Sequence, residues 1–190
     1  MIILGLDAAQ NTGWALYDAA PGTSLSSIKA GVLKATGETY EDKAAALGRA
    51  LVLLIKADRP DFIAIEMPIR TQPGRVTRKV KFMGEAQVEE ASGSGLNAVI
   101  SSNQMVGACA AIVGAYGIPF QMIAPVTWRK AFLGFGTHPG WARKDWKRAV
   151  RDKCQQLKIT VTNDDMADAV GIAFAGAGCQ AFRALQMRAA

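Results

Sequence analysis

Met1-Ile2-Ile3-Leu4-Gly5-Leu6-Asp7-Ala8-Ala9-Gln10-Asn11-Thr12-Gly13-Trp14-Ala15 reads as a strand, a tight turn and the start of a second strand. The apolar run from Ile2 to Leu6 is that of a buried strand, and it ends on a carboxylate. Asn11-Thr12-Gly13 supplies turn chemistry, and Trp14 to Tyr17 continues as strand. After the loop Pro21 to Ser24, Ser27 to Leu33 is a third strand. Connections this short exclude crossovers, so the three strands form an antiparallel meander.

Tyr40 to Ala57 follows with Leu47, Leu51, Leu54 and Ile55 on one helical face, and Pro60 closes it. Phe62-Ile63-Ala64-Ile65-Glu66 is a short buried strand, again ending on a carboxylate. The order through Glu66 is therefore β-β-β-α-β. Arg70 to Gly95 is irregular and reads as a long loop or a β-hairpin. Asn97 to Tyr116 is a helix rich in Ala, Gly and Ser, Ile118 to Ala124 is a strand, and Pro125 starts a helix. Trp141 to Lys158 is amphipathic, with Trp146, Val150, Cys154 and Leu157 on its apolar face. A last helix is expected from Thr162 to about Met187.

The 190 residues fit one domain, expected to span 1–190 with 70–96 as a basic insertion. The net charge of +6 leans toward a polyanionic partner, and nucleic acid is the commonest of these. The opening residues read as a buried strand, so no signal peptide is expected, and no apolar run is read as long enough to span a membrane. Cys109, Cys154 and Cys179 form neither a disulfide framework nor a zinc pattern, and they read as reduced thiols of a cytoplasmic protein.

Acidic residues stand in three places where a core would not tolerate them unpaired. Asp7 and Glu66 end apolar strands, while Asp165 and Asp168 lie among Ala167, Ala169, Val170 and Ile172. Residues i and i+3 share a helix face, so Asp165 and Asp168 can reach one ion together. Asp164, four residues before Asp168, competes with Asp165 for that role. Four carboxylates without thiolate or imidazole make a hard-cation donor set, suited to Mg²⁺ with Mn²⁺ as substitute. Two such ions per site would serve phosphodiester hydrolysis. The plainer alternatives are a turn residue at Asp7, helix-dipole residues at Asp164 and Asp165, and a loop cap at Glu66. They would all have to hold at once.

Gly5-Leu6-Asp7 with Asn11-Thr12-Gly13-Trp14-Ala15, then Ile63-Ala64-Ile65-Glu66, then Asp165-Met166-Ala167-Asp168-Ala169-Val170-Gly171-Ile172-Ala173 resemble, in order and spacing, the three motifs of RuvC-type Holliday-junction resolvases. The resemblance is weak between residues 70 and 96. It implies an α/β, RNase H-like fold: a five-stranded mixed sheet of order 3-2-1-4-5 flanked by helices on both faces. It further implies two Mg²⁺ ions on Asp7, Glu66, Asp165 and Asp168, and symmetric nicking of four-way DNA by a homodimer. Lys130, Lys144 and Lys147 match the segment whose lysines lie near the scissile phosphate. Trp128-Arg129-Lys130 looks closer to phage-type and prophage-type members, which implies a bacterial or phage origin.

Arg70, Arg75, Arg78, Lys79 and Lys81 fall in a stretch, 70–83, that holds no acid, and they are expected to track phosphates. Arg143, Lys147 and Arg151 form a second basic stripe, with Trp141 and Phe82 as candidates for stacking or wedging. His138 reads as a plain loop residue. Neither a membrane nor a nucleotide cofactor is expected. Three rivals remain: an ATP-binding domain of the actin and sugar-kinase type, for which the chain is short; a non-catalytic nucleic-acid-binding module; and a general RNase H-like nuclease without junction preference.

Overall fold

A computed structural model of the chain describes residues 1–68, 78–82, 85–89 and 94–189. The main sheet is built from β1 (Ile2–Asp7), β2 (Asn11–Asp18), β3 (Lys29–Lys34), β4 (Phe62–Glu66) and β7 (Phe120–Ile123). A separate antiparallel hairpin joins β5 (Arg78–Phe82) to β6 (Glu85–Glu89). The sheet runs β3-β2-β1-β4-β7, which is 3-2-1-4-5 when its own five strands are counted. The meander is antiparallel, and β1, β4 and β7 are parallel, so the sheet is mixed as expected.

Strand alternation decides what each face does. On β1 and β4, Leu4, Leu6, Ile63 and Ile65 point to one side, where α1 (Tyr40–Ala57) and α2 (Ser94–Ala115) cover them with Leu47, Leu51, Ile55, Met105, Cys109 and Val113. Ile3, Phe62 and Ala64 point to the other side. There they meet α3 (Pro125–Leu133), α4 (Arg143–Gln156), α5 (Asp164–Ala177) and α6 (Gln180–Ala189). The period of two carries Asp7 and Glu66 to this second face.

The α5 helix lies directly on the sheet because both surfaces are made of small residues. A Cβ at Gly5 would come within 2.4 Å of the Ala169 carbonyl oxygen, and one at Gly13 within 1.9 Å of the Asp165 carbonyl oxygen. No other residue fits at either place. The small-residue character of both motifs is thus a packing requirement that brings the start of α5 to the end of β1.

Three expectations are corrected. Asn11-Thr12-Gly13 is not the turn: these residues open β2, paired with β3 from Asn11↔Lys34 onward, and the turn falls on Ala8, Ala9 and Gln10. The last helix is not continuous: α5 stops at Gly178, whose N–H bonds to the Ala175 and Gly176 carbonyls, and α6 starts at Gln180. The break lets fully buried Phe182 pack on Phe62, ring centroids 5.5 Å apart. The Leu96–Ala115 stretch of α2 is also long and apolar enough to cross a membrane by length and composition, contrary to the sequence reading. It passes that test as a helix laid against the sheet and α1, with Met105, Val106, Cys109 and Val113 buried. Of the two expectations for the stretch after Glu66, the described part is the hairpin, whose register sets Arg78 opposite Glu89.

Candidate active site

Asp7 and Glu66 stand side by side because β1 and β4 are parallel and in register, with Leu6 opposite Ile65 one position earlier. The turn after Asp7 is locked by the buried Thr12 hydroxyl, which donates to the Ala9 carbonyl at 2.6 Å and accepts from the Ala9 N–H at 3.2 Å. From the helix side, Asn163 caps α5 by accepting from the Met166 N–H at 2.9 Å. That cap fixes the first turn, which carries Asp164 and Asp165. Asp168 comes one turn later and is buried, at 7% exposure.

Asp7, Glu66 and Asp168 form one electrostatic group. Burial raises the Asp7 carboxyl well above its ordinary value, and the neighbouring charges of Glu66 and Asp168 raise it further. A protonated Asp7 has Glu66 within hydrogen-bonding reach. Asp168 is pushed up to about 6, chiefly by burial, with Lys147 opposing and Glu66 reinforcing the rise. Asp165 lines the same roughly 610 Å³ cavity as Asp7 and Glu66. Asp164 does not line that cavity, and its Oδ1 pairs with Arg151 at 3.7 Å. Of the two residues that the spacing left in competition, Asp165 is the one on the cavity shared with Asp7 and Glu66.

Two non-acidic side chains hold the group in place. The Lys147 ammonium, from α4, forms a hydrogen-bonded ion pair with Asp168 Oδ2. Burial works against the lysine's charge, but Asp168, Asp7 and Asp165 outweigh it and raise its pKa. The Trp128 indole N–H, from α3, donates to Glu66 Oε1 at 2.8 Å. Among the described residues, no three His, Cys, Asp or Glu side chains already surround one point as a metal cluster. Asp168 is turned to Lys147 and Glu66 to Trp128 instead. The donor set nevertheless fits a hard divalent cation: a cluster of oxygen donors, partly buried and short of compensating charge.

Folding favours the protonated form of Asp168. Its folded pKa lies above the ordinary value of 3.8, so its favourable contribution is present at low pH and lost as pH rises from about 4 to about 6. Metal-free wild type is expected to lose Tm against Asp168→Asn across that window. A Tm difference that stays flat from pH 4 to pH 7 rejects this coupling.

The basic residues divide. Arg143, Lys144, Lys147 and Arg151 line a groove of about 1030 Å³ that also takes in Asp164 and Asp165, so the stripe does lead to the acids. Arg148, absent from the sequence-based set, lines the same groove. Its i+4 spacing from Lys144 was the signal for it. Lys130 is exposed on α3, about 200° around the helix from buried Trp128. Arg129 takes the inner position and acts electrostatically on Asp168. Its guanidinium lies 5.2 Å from the Trp128 ring centre and 4.9 Å from that of Trp146. Arg78, Lys79 and Lys81 lie on β5, in backbone register with Glu89, Val88 and Ala86 of β6. Arg70 and Arg75 fall outside the described residues.

Trp141 stacks on His138, ring centroids 4.5 Å apart, within a cluster that includes Phe135 and Trp146. This is local packing of the 134–146 segment. Cys109 and Cys154 are buried free thiols, each pushed up to about 12 by burial.

Solved structures share this fold. Thermus thermophilus RuvC in complex with a Holliday-junction substrate matches with a TM-score of 0.65 at 17% identity, covering 98% of this chain and 96% of that one. The chain has the RuvC fold. A second T. thermophilus RuvC structure matches at 0.60 and 18% identity, covering 98% of this chain and 97% of the other. The yeast mitochondrial Holliday junction resolvase Ydc2 matches at 0.55 and 13% identity, over 98% of this chain and 82% of its own. No family model and no curated protein sequence matches the chain. The RuvC fold is thus reached here at 13–18% sequence identity.

Proposed function

We propose that the chain is a divalent-cation-dependent endonuclease that cuts DNA phosphodiester bonds and resolves branched junctions. The observation that carries this reading is the convergence of Asp7, Glu66 and Asp168 from two strands and a helix, with Asp165 on the same cavity. Asp7, Glu66, Asp165 and Asp168 would hold two Mg²⁺ ions, or Mn²⁺ in their place. Such ions supply Lewis-acid activation of water and stabilisation of the leaving oxygen.

The chain's own residues do the rest. The groove lined by Arg143, Lys144, Arg148 and Arg151 offers guanidinium and ammonium donors to successive backbone phosphates and leads them to the acids. Lys147, at the boundary of groove and acids, can offer its ammonium to the phosphate once Asp168 has another counter-charge. Reversing Lys144 and Arg148 to Glu is expected to weaken DNA binding and flatten its salt dependence by about 0.9 in slope for each phosphate no longer neutralised. A titration across salt concentrations with unchanged slope removes the groove from the DNA path. The same measurement on Arg75→Glu, Arg78→Glu and Lys79→Glu tests the arm after Glu66.

We also propose a homodimer, since a four-way junction needs two symmetric cuts. An apolar groove of about 630 Å³ between α1 and α2, lined by Ala44, Gly48, Leu53, Ala108 and Ile112, supports it. Sedimentation showing only monomer at micromolar concentration rejects the dimer.

The deciding experiment is cleavage of a labelled four-way junction beside linear duplex, flap, single strand and RNA–DNA hybrid, in Mg²⁺, Mn²⁺ and EDTA. Paired symmetric nicks in the junction alone are expected. Equal cutting of several substrates would leave a general nuclease, and no cation-dependent cutting would refute the enzyme reading.

A further inference from the structure

We infer that Trp128 is a positioning residue for the cation site, its indole N–H holding Glu66 in the orientation that receives the ion. The inference rests on the cation-dependent reading above. Three observations support it.

The first is the bond. Nε1–H of Trp128 donates to Glu66 Oε1 at 2.8 Å, and Trp128 is fully buried. An indole N–H only donates, so it pairs with a carboxylate lone pair and has no alternative role as acceptor. A carboxylate offers about four lone-pair sites. One is used here, and the remainder stay available to a cation.

The second is the need. Asp7, Asp165 and Asp168 are short side chains fixed closely by their backbone, whereas Glu66 has an additional rotatable bond. A free Glu side chain loses more rotamer entropy on ligating an ion than a short one does. A donor that already holds Glu66 removes part of that loss before the ion arrives.

The third is the fixing of the donor itself. The ring sits against Gly171 of α5, where a Cβ would come within 2.8 Å of Cε3 and 2.9 Å of Cζ3. The Arg129 guanidinium lies over its face at 5.2 Å. Gly171 is three residues beyond Asp168 on the same helix, so one helix both supplies a carboxylate and seats the ring that orients another. A tryptophan needed only to fill the core would be equally well served by any acceptor.

The test is Trp128→Phe, which keeps most of the aromatic volume and removes the donor. Mn²⁺ binding to metal-free protein is measured by calorimetry, with circular dichroism to establish folding. The expected result is affinity weaker by about 10–100-fold, the usual cost of removing a hydrogen-bond partner behind a metal ligand. Gly171→Ala provides a second route: it leaves Trp128 and Glu66 intact but displaces the ring, and its affinity is expected to fall as well. Wild-type affinity in either folded variant overturns the positioning role. Wild-type protein that takes up no Mn²⁺ overturns the cation reading itself, and this inference with it, so the two failures are distinguishable.

Discussion

Asp7→Asn is expected to abolish cation-dependent cleavage and at the same time to raise the Tm of the metal-free protein. A catalytic ion contributes several kcal/mol of transition-state stabilisation, so losing its ligand should cost about 10³-fold or more in rate at roughly 1.4 kcal/mol per decade. The stability effect has the opposite sign. Asp7 is held against Glu66 and Asp168, and burial, then those two charges, push its pKa up. Folding therefore works against the ionised form, and a neutral amide of the same shape relieves the conflict. A gain on the order of 1 kcal/mol is expected, or about 2–4 °C for a chain of this size. Saturating Mg²⁺ should reverse the ranking. An ion at 100 times its Kd adds about 2.7 kcal/mol to a protein that binds it, and the variant should forgo most of that gain. A lower metal-free Tm for Asp7→Asn would show that the acids are not in conflict.

Lys147→Met is expected to destabilise the metal-free protein by on the order of 3 kcal/mol, because it strips a largely buried carboxylate of its partner. Lys147 and Asp168 are only 18% and 10% exposed at their side chains, so solvent screens the pair little. The pair also separates Asp168 from a worse arrangement, in which Asp7, Glu66 and Asp168 repel one another uncompensated. Because folding raises the Lys147 pKa above 10.5, the stability it contributes is present through neutral pH and lost only above that value. The cost of the substitution should shrink below about pH 6, where Asp168 takes up a proton and no longer needs a counter-charge. Mg²⁺ should restore more Tm to this variant than to wild type, since an ion replaces the missing positive charge. Thermal melts across pH, with and without Mg²⁺, read all three effects. A variant as stable as wild type at neutral pH in EDTA would leave Lys147 without a structural part in the site.

Much of the fold was legible because it depends on local pattern. The apolar run Ile2 to Leu6 and the short links of the meander determine β1 to β3 by period and loop length, whereas the turn itself was read three residues too late, because Asn11-Thr12-Gly13 has turn chemistry but pairs as strand. Asp7 and Glu66 were legible because a carboxylate ending an apolar strand has few bland explanations. The i, i+3 spacing of Asp165 and Asp168 follows from the helix itself. The continuous last helix was misread because both halves are good helix formers. The stop at Gly178 is set by the docking of Phe182 on Phe62, two rings far apart in the chain.

What the sequence by itself determined is the order of elements, the alternation that sends Asp7 and Glu66 to one face, and the oxygen-only donor set. Each is a property of a few neighbouring residues. Only the tertiary structure decided which partners those acids keep. It put Asp165 on the cavity of Asp7 and Glu66 and paired Asp164 with Arg151. It assigned Lys147 to Asp168 and brought Trp128 to Glu66 across 62 positions. It also left Lys130 on the outside while Arg129 turned inward. The reason is physical: a charged side chain's environment is set by the helices packed over it, and the close seat of α5 on Gly5 and Gly13 exists only once the sheet has formed.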